Sequence, residues 1–565
     1  MFRRGLVVLA VAALGGCEAG VAPDPTADLG STSSPQGVDA GIDAGPLPDA
    51  GPMVEPVFPD AGQVTFTIRA DLDVHPISAL IYGVNQVTDL AGAQRGVGLV
   101  RAGGNRWTAY NWENNASNAG TDYFNQNDNY LVMNSGSGGA PGEAVRQRVD
   151  PALATGAAAL VTIPIQGRVA ADKLGNGDVN LSANYLTTRF KRTVATKGAA
   201  FSLTPDLTDD VVYQDEFASW LLARYPAAFS ASAPRILLSL DNEPDLWSDS
   251  HPRIQPAMVT AAELVSKTVA FATAVKAVIP TATVTGFVSY GYYGFTSLQG
   301  TYSGPDFTAW FLDQLRRADA AAGKRLVDVL DLHWYPEAQG DGQRITGTST
   351  TAGSVEARVQ APRSLWDPTY RETSWVASAE GGPIELLPRM KARIAANDPG
   401  VRLAITEYSY GGGAHISGAL AEADVLGIFG REGVYLANFW DLSGGSAAFV
   451  HAGLRAFTSY DEAGAHFGDT SVRALTSDVA ATSIYASLDT AHPGRLVVVA
   501  LNKTSAPLTA ALALTAPALY PSARLFRLTA ASSTLQAAGT VQASSRNAFL
   551  LQLPAYSVTV LELGP

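Results

Sequence analysis

Two glutamates stand at the ends of apolar runs with flanks suited to acid–base chemistry. Ile236-Leu-Leu-Ser-Leu240 leads into Asp241-Asn242-Glu243-Pro244-Asp245-Leu246-Trp247, and Arg402-Leu-Ala-Ile-Thr406 leads into Glu407-Tyr408. A buried β-run that stops at a carboxylate delivers it to a strand end, which is where an α/β barrel builds its site. Two carboxyls across one sugar linkage can cleave it. One, protonated, releases the leaving oxygen, while the other, ionised, attacks or stabilises the anomeric carbon. Either glutamate alone reads as an ordinary polar residue at a strand end. The pair, with its flanks, favours the two-carboxylate chemistry.

Other chemistries lack their residues. The seven histidines (His75, His251, His333, His415, His451, His466 and His492) show no His-Glu-x-x-His or paired ligand spacing, and Cys17 is the one cysteine, so a zinc hydrolase or thiolate cluster is disfavoured. No Gly-x-Ser-x-Gly elbow or Walker-type loop is present. With a net charge of −13, a pI near 5.0 and no long Lys/Arg cluster, nucleic acid is not expected as a partner. Seven of the nine tryptophans follow β-rich runs: Trp107, Trp112, Trp247, Trp334, Trp366, Trp375 and Trp440. Aromatic faces complement the C–H face of a pyranose, so such a rim suits a polysaccharide cleft. Two or three of these rings are expected merely to plug the barrel top.

The elements that must position these groups are legible as alternating short β-runs and longer helical stretches. Eight runs are counted: Leu80 to Asn85, Val97 to Arg101, Ala158 to Ile165, Ile236 to Leu240, Thr283 to Phe287, Val327 to His333, Arg402 to Glu407 and Tyr435 to Trp440. Repeated βα units of this number predict an α/β fold, a TIM-like (β/α)8 barrel over residues 79–456, although doubly wound sheets alternate in the same way. Thr260-Ala-Ala-Glu263 is a capping box that opens an apolar helix, and Tyr213, Phe217, Trp220 and Leu221 share a helical face. From residue 457 to 565 the runs shorten and alternate, as in a small all-β sandwich, and residues 63–78 supply a strand to it from the N-terminal side.

Ahead of these, residues 1–17 combine Arg3 and Arg4 with an apolar stretch from Leu6 to Leu14 and small residues before Cys17, an export signal ending in a lipobox-like Leu-Gly-Gly-Cys. The expectation is an exported bacterial lipoprotein of the cell envelope or outer surface, joined to a membrane through lipid on Cys17. Residues 18–62, rich in Pro, Gly and repeated Asp-Ala-Gly, read as a disordered, self-repelling tether. Residues 1–62 hold two arginines and eight acids, so the remainder carries only −7.

Several blocks resemble glycoside hydrolase family 44. They are Arg101-Ala-Gly-Gly-Asn-Arg-Trp-Thr-Ala-Tyr-Asn-Trp-Glu-Asn-Asn-Ala-Ser-Asn-Ala-Gly120, Asp241 to Trp247, Asp331-Leu-His-Trp-Tyr335, Pro362 to Tyr370, Ile405-Thr-Glu-Tyr408 and Phe467 to Ser471. The resemblance runs from about residue 64 to the C-terminus. It implies a retaining endo-β-1,4-glucanase acting on xyloglucan, mixed-linkage glucan and soluble cellulose. Glu243 takes the general acid/base position and Glu407 the nucleophile position, their carboxyls about 5 to 5.5 Å apart. Asn242 is expected on the substrate's 2-hydroxyl, and Tyr408 or Arg101 is expected to hold Glu407. His333 stands where it touches substrate or Glu407. Further substrate contacts are Trp107, Trp112, Trp247, Trp334, Tyr335, Trp366 and Trp440. No cofactor is required, a structural calcium in acidic loops is compatible with the resemblance, and the expected state is a monomer. Competing expectations are a xylanase or mannanase on the same barrel plan, and a surface glycan-binding lipoprotein without turnover.

Overall fold

The structure, a computed structural model, describes residues 53–59, 61–132, 138–230, 233–442 and 446–564. The export signal, Cys17 and most of the tether lie outside them. Eight parallel strands close into a barrel: β1 (Gly83–Val84), β2 (Leu99–Ala102), β3 (Ala158–Ile163), β4 (Ile236–Leu240), β5 (Val284–Ser289), β6 (Val329–Trp334), β7 (Arg402–Tyr408) and β8 (Leu436–Phe439). Each falls on one of the eight runs read from the sequence. Strands β3 to β6 are buried at every residue, which is why they read as continuous apolar runs rather than alternating ones.

Helices return the chain between strands. Thr260 caps Ala261–Val278 by accepting from Glu263 N at 3.2 Å. Gln214–Arg224 turns Phe217, Trp220 and Leu221 inward. Between β3 and β4 the chain also builds a three-stranded sheet from Arg168–Ala170, Phe190–Val194 and Val211–Tyr213, which the apolar pattern did not announce because its strands are short and partly charged.

The second layer is a nine-stranded path of mainly antiparallel strands with its own core, including Phe66, Ile68, Leu512, Leu514, Phe549 and Leu551. Val64–Arg69 lies inside it, antiparallel to Thr470–Thr476 and parallel to Leu508–Thr515. Three of its strands, Thr470–Thr476, Thr482–Leu488 and Ser532–Gln542, were not read from the sequence; Ser, Thr and Ala dilute their alternation. Order also begins earlier than residue 63. Val54 N donates to Ala516 O at 2.8 Å and Arg546 Nε donates to Glu55 O at 2.9 Å, so the last part of the expected tether lies along the sandwich.

The helix after β7, Ile416–Arg431, is buried from Ile416 through Gly430 because the barrel covers one side and the sandwich the other. Tyr485 of the sandwich lies over Gly427, where a Cβ would meet its ring at 2.2 Å, and donates to Asp424 at 2.6 Å. The strand carrying Glu407 is thereby backed by a helix that the sandwich holds in place.

Candidate active site

The loop after β4 presents Glu243 through two left-handed residues, Asp241 (φ 69°) and Glu243 (φ 42°). Such backbone costs about 1–3 kcal/mol at a non-glycine residue and persists only where the surroundings fix it. Here Asp241, fully buried, accepts from Ile165 N (2.6 Å), Gln166 N (3.0 Å), Asn242 N (2.9 Å) and Trp247 Nε1 (3.2 Å). Asp245 accepts from the Ser289 hydroxyl at 2.6 Å, and Glu243 N donates to Val288 O at 3.0 Å. The loop is therefore pinned to β3 on one side and β5 on the other.

Glu407 is aimed by a register shift. Leu332 of β6 stands opposite Ile405 and His333 opposite Glu407, so Thr406 is the extra residue on β7. A one-residue slip exchanges the two faces of a strand, and here it turns Glu407 toward the barrel mouth. Thr406 instead donates its hydroxyl to Asp331 at 2.7 Å, in a buried layer where Thr285 also donates to Asp331.

Glu407 is then held from two directions. Arg101 Nη1 donates to its Oε1 at 2.7 Å and Tyr335 donates to its Oε2 at 2.7 Å. Arg101 is fully buried at the end of β2; it also donates to Asn85 Oδ1 (2.9 Å) and Asn242 Oδ1 (2.7 Å). One guanidinium thus fixes Glu407 and the residue before Glu243 together. Asn85, at the end of β1, is a participant that the sequence reading missed, although it closes the first apolar run.

Glu243 is the electrostatically perturbed group. Burial pushes Glu243 up to about 7, opposed by Arg101 and reinforced by the charge of Asp122. Burial pushes His333 down to about 4, so its ring is neutral near pH 7. His333 Nδ1 lies 2.8 Å from Glu243 Oε1 and 3.6 Å from Glu407 Oε2. One ligating atom from each of Glu243, His333 and Glu407 lies within 4.8 Å of the others. Among the described residues no acidic loop gathers three such groups.

The chain as a whole is similar to known proteins. Residues 116–338 match the model of glycoside hydrolase family 44. Over 521 residues the chain is 41% identical to Endoglucanase A of Paenibacillus lautus, spanning 90% of this chain and 73% of that protein. The chain belongs to glycoside hydrolase family 44. A family 44 xyloglucanase of Paenibacillus polymyxa, solved with xyloglucan, superposes with a TM-score of 0.84 at 40% identity, covering 89% of this chain and 99% of that one. The family 44 endoglucanase Cel44A of Clostridium thermocellum gives 0.83 at 40% identity, covering 89% and 100%.

In this family 44 hydrolase the aromatic rim differs from the one expected. Trp107, Trp112, Trp247 and Trp334 are 3%, 1%, 0% and 3% exposed, so they pack the barrel top and offer no free face. Trp112 stacks on Phe217, and Lys267 covers Trp247 at 4.9 Å. Trp366 lies under Arg431, at the end of the helix that runs back toward the start of β8, away from the glutamates. Tyr408 follows Glu407 and so points to the opposite side of the strand, donating to buried Glu422 at 2.8 Å rather than to Glu407. Trp440 alone of the six tryptophans expected to touch substrate reaches across the mouth, its ring 2.6 Å from where a Cβ on Gly104 would stand. Trp375, 38% exposed, stacks on Tyr293.

The bracing of the β4 loop gives a test of its own. Asp241→Ala strips four buried donors of their acceptor and relaxes two left-handed positions. It is expected to destabilise the family 44 fold by about 3 kcal/mol in denaturant titrations and to lower kcat about 100-fold in what remains folded.

Proposed function

We propose that this family 44 enzyme is an endo-acting β-1,4-glucanase working with retention, with Glu243 as general acid/base and Glu407 as nucleophile. The observation that carries this is the short separation of the two carboxyls, with oxygens inside 4.8 Å. An inverting pair needs about 6.5–9.5 Å to admit a water between carboxyl and sugar. Glu407, ion-paired to Arg101, attacks the anomeric carbon as Glu243 gives its proton to the departing oxygen. A glycosyl–Glu407 ester forms and the glycosidic C–O bond breaks. Glu243, now ionised, takes a proton from water, whose oxygen displaces Glu407 and restores both groups.

His333 supports this cycle. Its Nε2 is buried without a partner, so the single proton of the neutral ring belongs on Nδ1, where it donates to Glu243 Oε1. That leaves Oε2 of Glu243 to carry the acidic proton toward the sugar. Trp440, Tyr335 and Asn242 are the candidates for direct substrate contact, Asn242 at the 2-hydroxyl.

A pH dependence follows with a definite sign. The acid works only while protonated, so kcat/KM is expected to fall about tenfold per pH unit above roughly 7, the value burial gives Glu243. Stopped assays from pH 5 to 9 would show this limb.

The substrate assignment is supported by the P. lautus endoglucanase and the P. polymyxa xyloglucanase. It is tested with the full chain on xyloglucan, mixed-linkage β-glucan, carboxymethylcellulose, xylan and glucomannan. Reducing ends are expected from the first three. Turnover confined to xylan or glucomannan, or binding without turnover, would reject it.

We also propose export as a lipoprotein, monomeric and tethered by lipid on Cys17, on the strength of the Arg3-Arg4 pair, the Leu6 to Leu14 stretch and the lone cysteine. Radiolabelled palmitate incorporation that survives Cys17→Ser would reject the attachment site.

A further inference from the structure

At the barrel rim a hairpin stands that the catalytic scheme does not use. Ser117–Asn118 pairs antiparallel with Asn127–Asp128. Its tip is pinned: Ala119 N donates to Gln126 O and Asn125 N to Gly120 O, each at 2.8 Å, and the Thr121 hydroxyl donates to Asp249 O at 3.0 Å. A Cβ on Gly120 would lie 2.1 Å from Ser250 O, so the tip is seated against the segment that follows Glu243. Phe124 and Asn125 adopt left-handed backbone, and the turn sends Tyr123 and Phe124 outward, 51% and 67% exposed, with ring centroids 4.7 Å apart. Packing does not explain two adjoining exposed aromatics on a tip this firmly held.

The root of the tip is wired to the catalytic residues. Asn242 Nδ2 donates to Asn105 Oδ1 at 3.3 Å, and Asn105 Nδ2 donates to both oxygens of Asp122 at 3.2 and 3.3 Å. Arg106, the cation that acts on Asp122, is ion-paired with Asp128 at 2.7 Å and lies over Tyr130. Asp122 itself is exposed at the edge of the cleft, with acceptor capacity beyond what one amide uses.

We propose that this hairpin is a carbohydrate-binding arm: Asp122 accepts hydrogen bonds from hydroxyls of a glucosyl unit beside the cleaved linkage, and Tyr123 and Phe124 stack on units farther along the chain. An ionised carboxylate is a strong acceptor for paired sugar hydroxyls, and the two rings, edge to face at 76°, offer aromatic faces in two directions at little entropic cost. The identity of the sugar rests on the glucanase assignment. The charge of Asp122 has a second consequence, because it helps to keep Glu243 protonated.

Cellohexaose binding by calorimetry to the full chain carrying Glu407→Gln tests the arm without turnover. Adding Asp122→Asn, or Tyr123→Ala with Phe124→Ala, is expected to weaken Kd about ten-fold in each case, and Asp122→Glu to recover most of the loss. Thermal midpoints close to the parent's exclude unfolding as the cause. Kd values within two-fold of the parent's for both variants would overturn the arm. With Glu407 intact, Asp122→Asn is also expected to move the alkaline limb of kcat/KM to lower pH, while the double aromatic variant leaves the limb in place. A limb unmoved by Asp122→Asn would overturn the role of Asp122 beside the acid. Hydrolysis by the unmodified chain reads the glucanase assignment, and binding in the Glu407→Gln background reads the arm, so either can fail alone.

Discussion

Replacing Glu407 with Gln is expected to lower kcat/KM on xyloglucan by on the order of 10⁴-fold or more while the polysaccharide still binds. The amide matches the carboxylate in size, and Tyr335 keeps a partner, so the barrel mouth retains its shape. Under the proposed mechanism the loss is that of the attacking oxygen, which Arg101 holds at 2.7 Å in a buried pairing. Without it no glycosyl ester forms, and direct attack by water has no room between carboxyls this close. Initial rates of reducing-end release, set beside calorimetric binding, separate the two effects. A loss below ten-fold would remove Glu407 as nucleophile.

Glu243→Ala should behave differently because its work depends on the leaving group. On polysaccharide, whose leaving alkoxide needs a proton, kcat/KM is expected to fall about 10³-fold. On an aryl β-cellobioside with an acidic phenol the first step proceeds nearly unaided, and the glycosyl ester accumulates because nothing deprotonates the water. Added azide, which needs no base, should then restore turnover and yield a β-glycosyl azide. Equal losses on both substrates with no rescue by azide would show that Glu243 acts by holding structure and not by moving a proton.

The strands that carry these groups were legible because burial on both faces leaves an unbroken apolar run that ends where the polar mouth begins. Ile236–Leu240 and Arg402–Tyr408 are such cases, and the carboxylates at or just past their ends, Glu407 and Glu243, stood out for the same reason. The residues that orient them were harder to see. Asn85 and Asp241 look like any polar residue after a strand, and their roles depend on neighbours far along the chain. The slip at Thr406 leaves no trace in composition, since it exists only as a pairing between β6 and β7.

The tryptophans show the opposite failure. Position after a strand puts a ring near the end of that strand, but it does not say which way the ring faces. Trp112 and Trp247 turn inward because the helices around the mouth need large side chains to close over the barrel top. Exposed aromatic rings include Tyr123, Phe124, Tyr130, Tyr293 and Trp375, and all but Trp375 are Tyr or Phe.

The proposed chemistry turns on two carboxyls sharing one linkage at close range, and the anomer released first reports on that directly. Proton NMR during the first minutes of xyloglucan-oligosaccharide hydrolysis, before mutarotation, should show the β-anomer ahead of the α-anomer. The α-anomer appearing first would mean that water attacks the sugar in one step, and Glu407 could then not be the nucleophile.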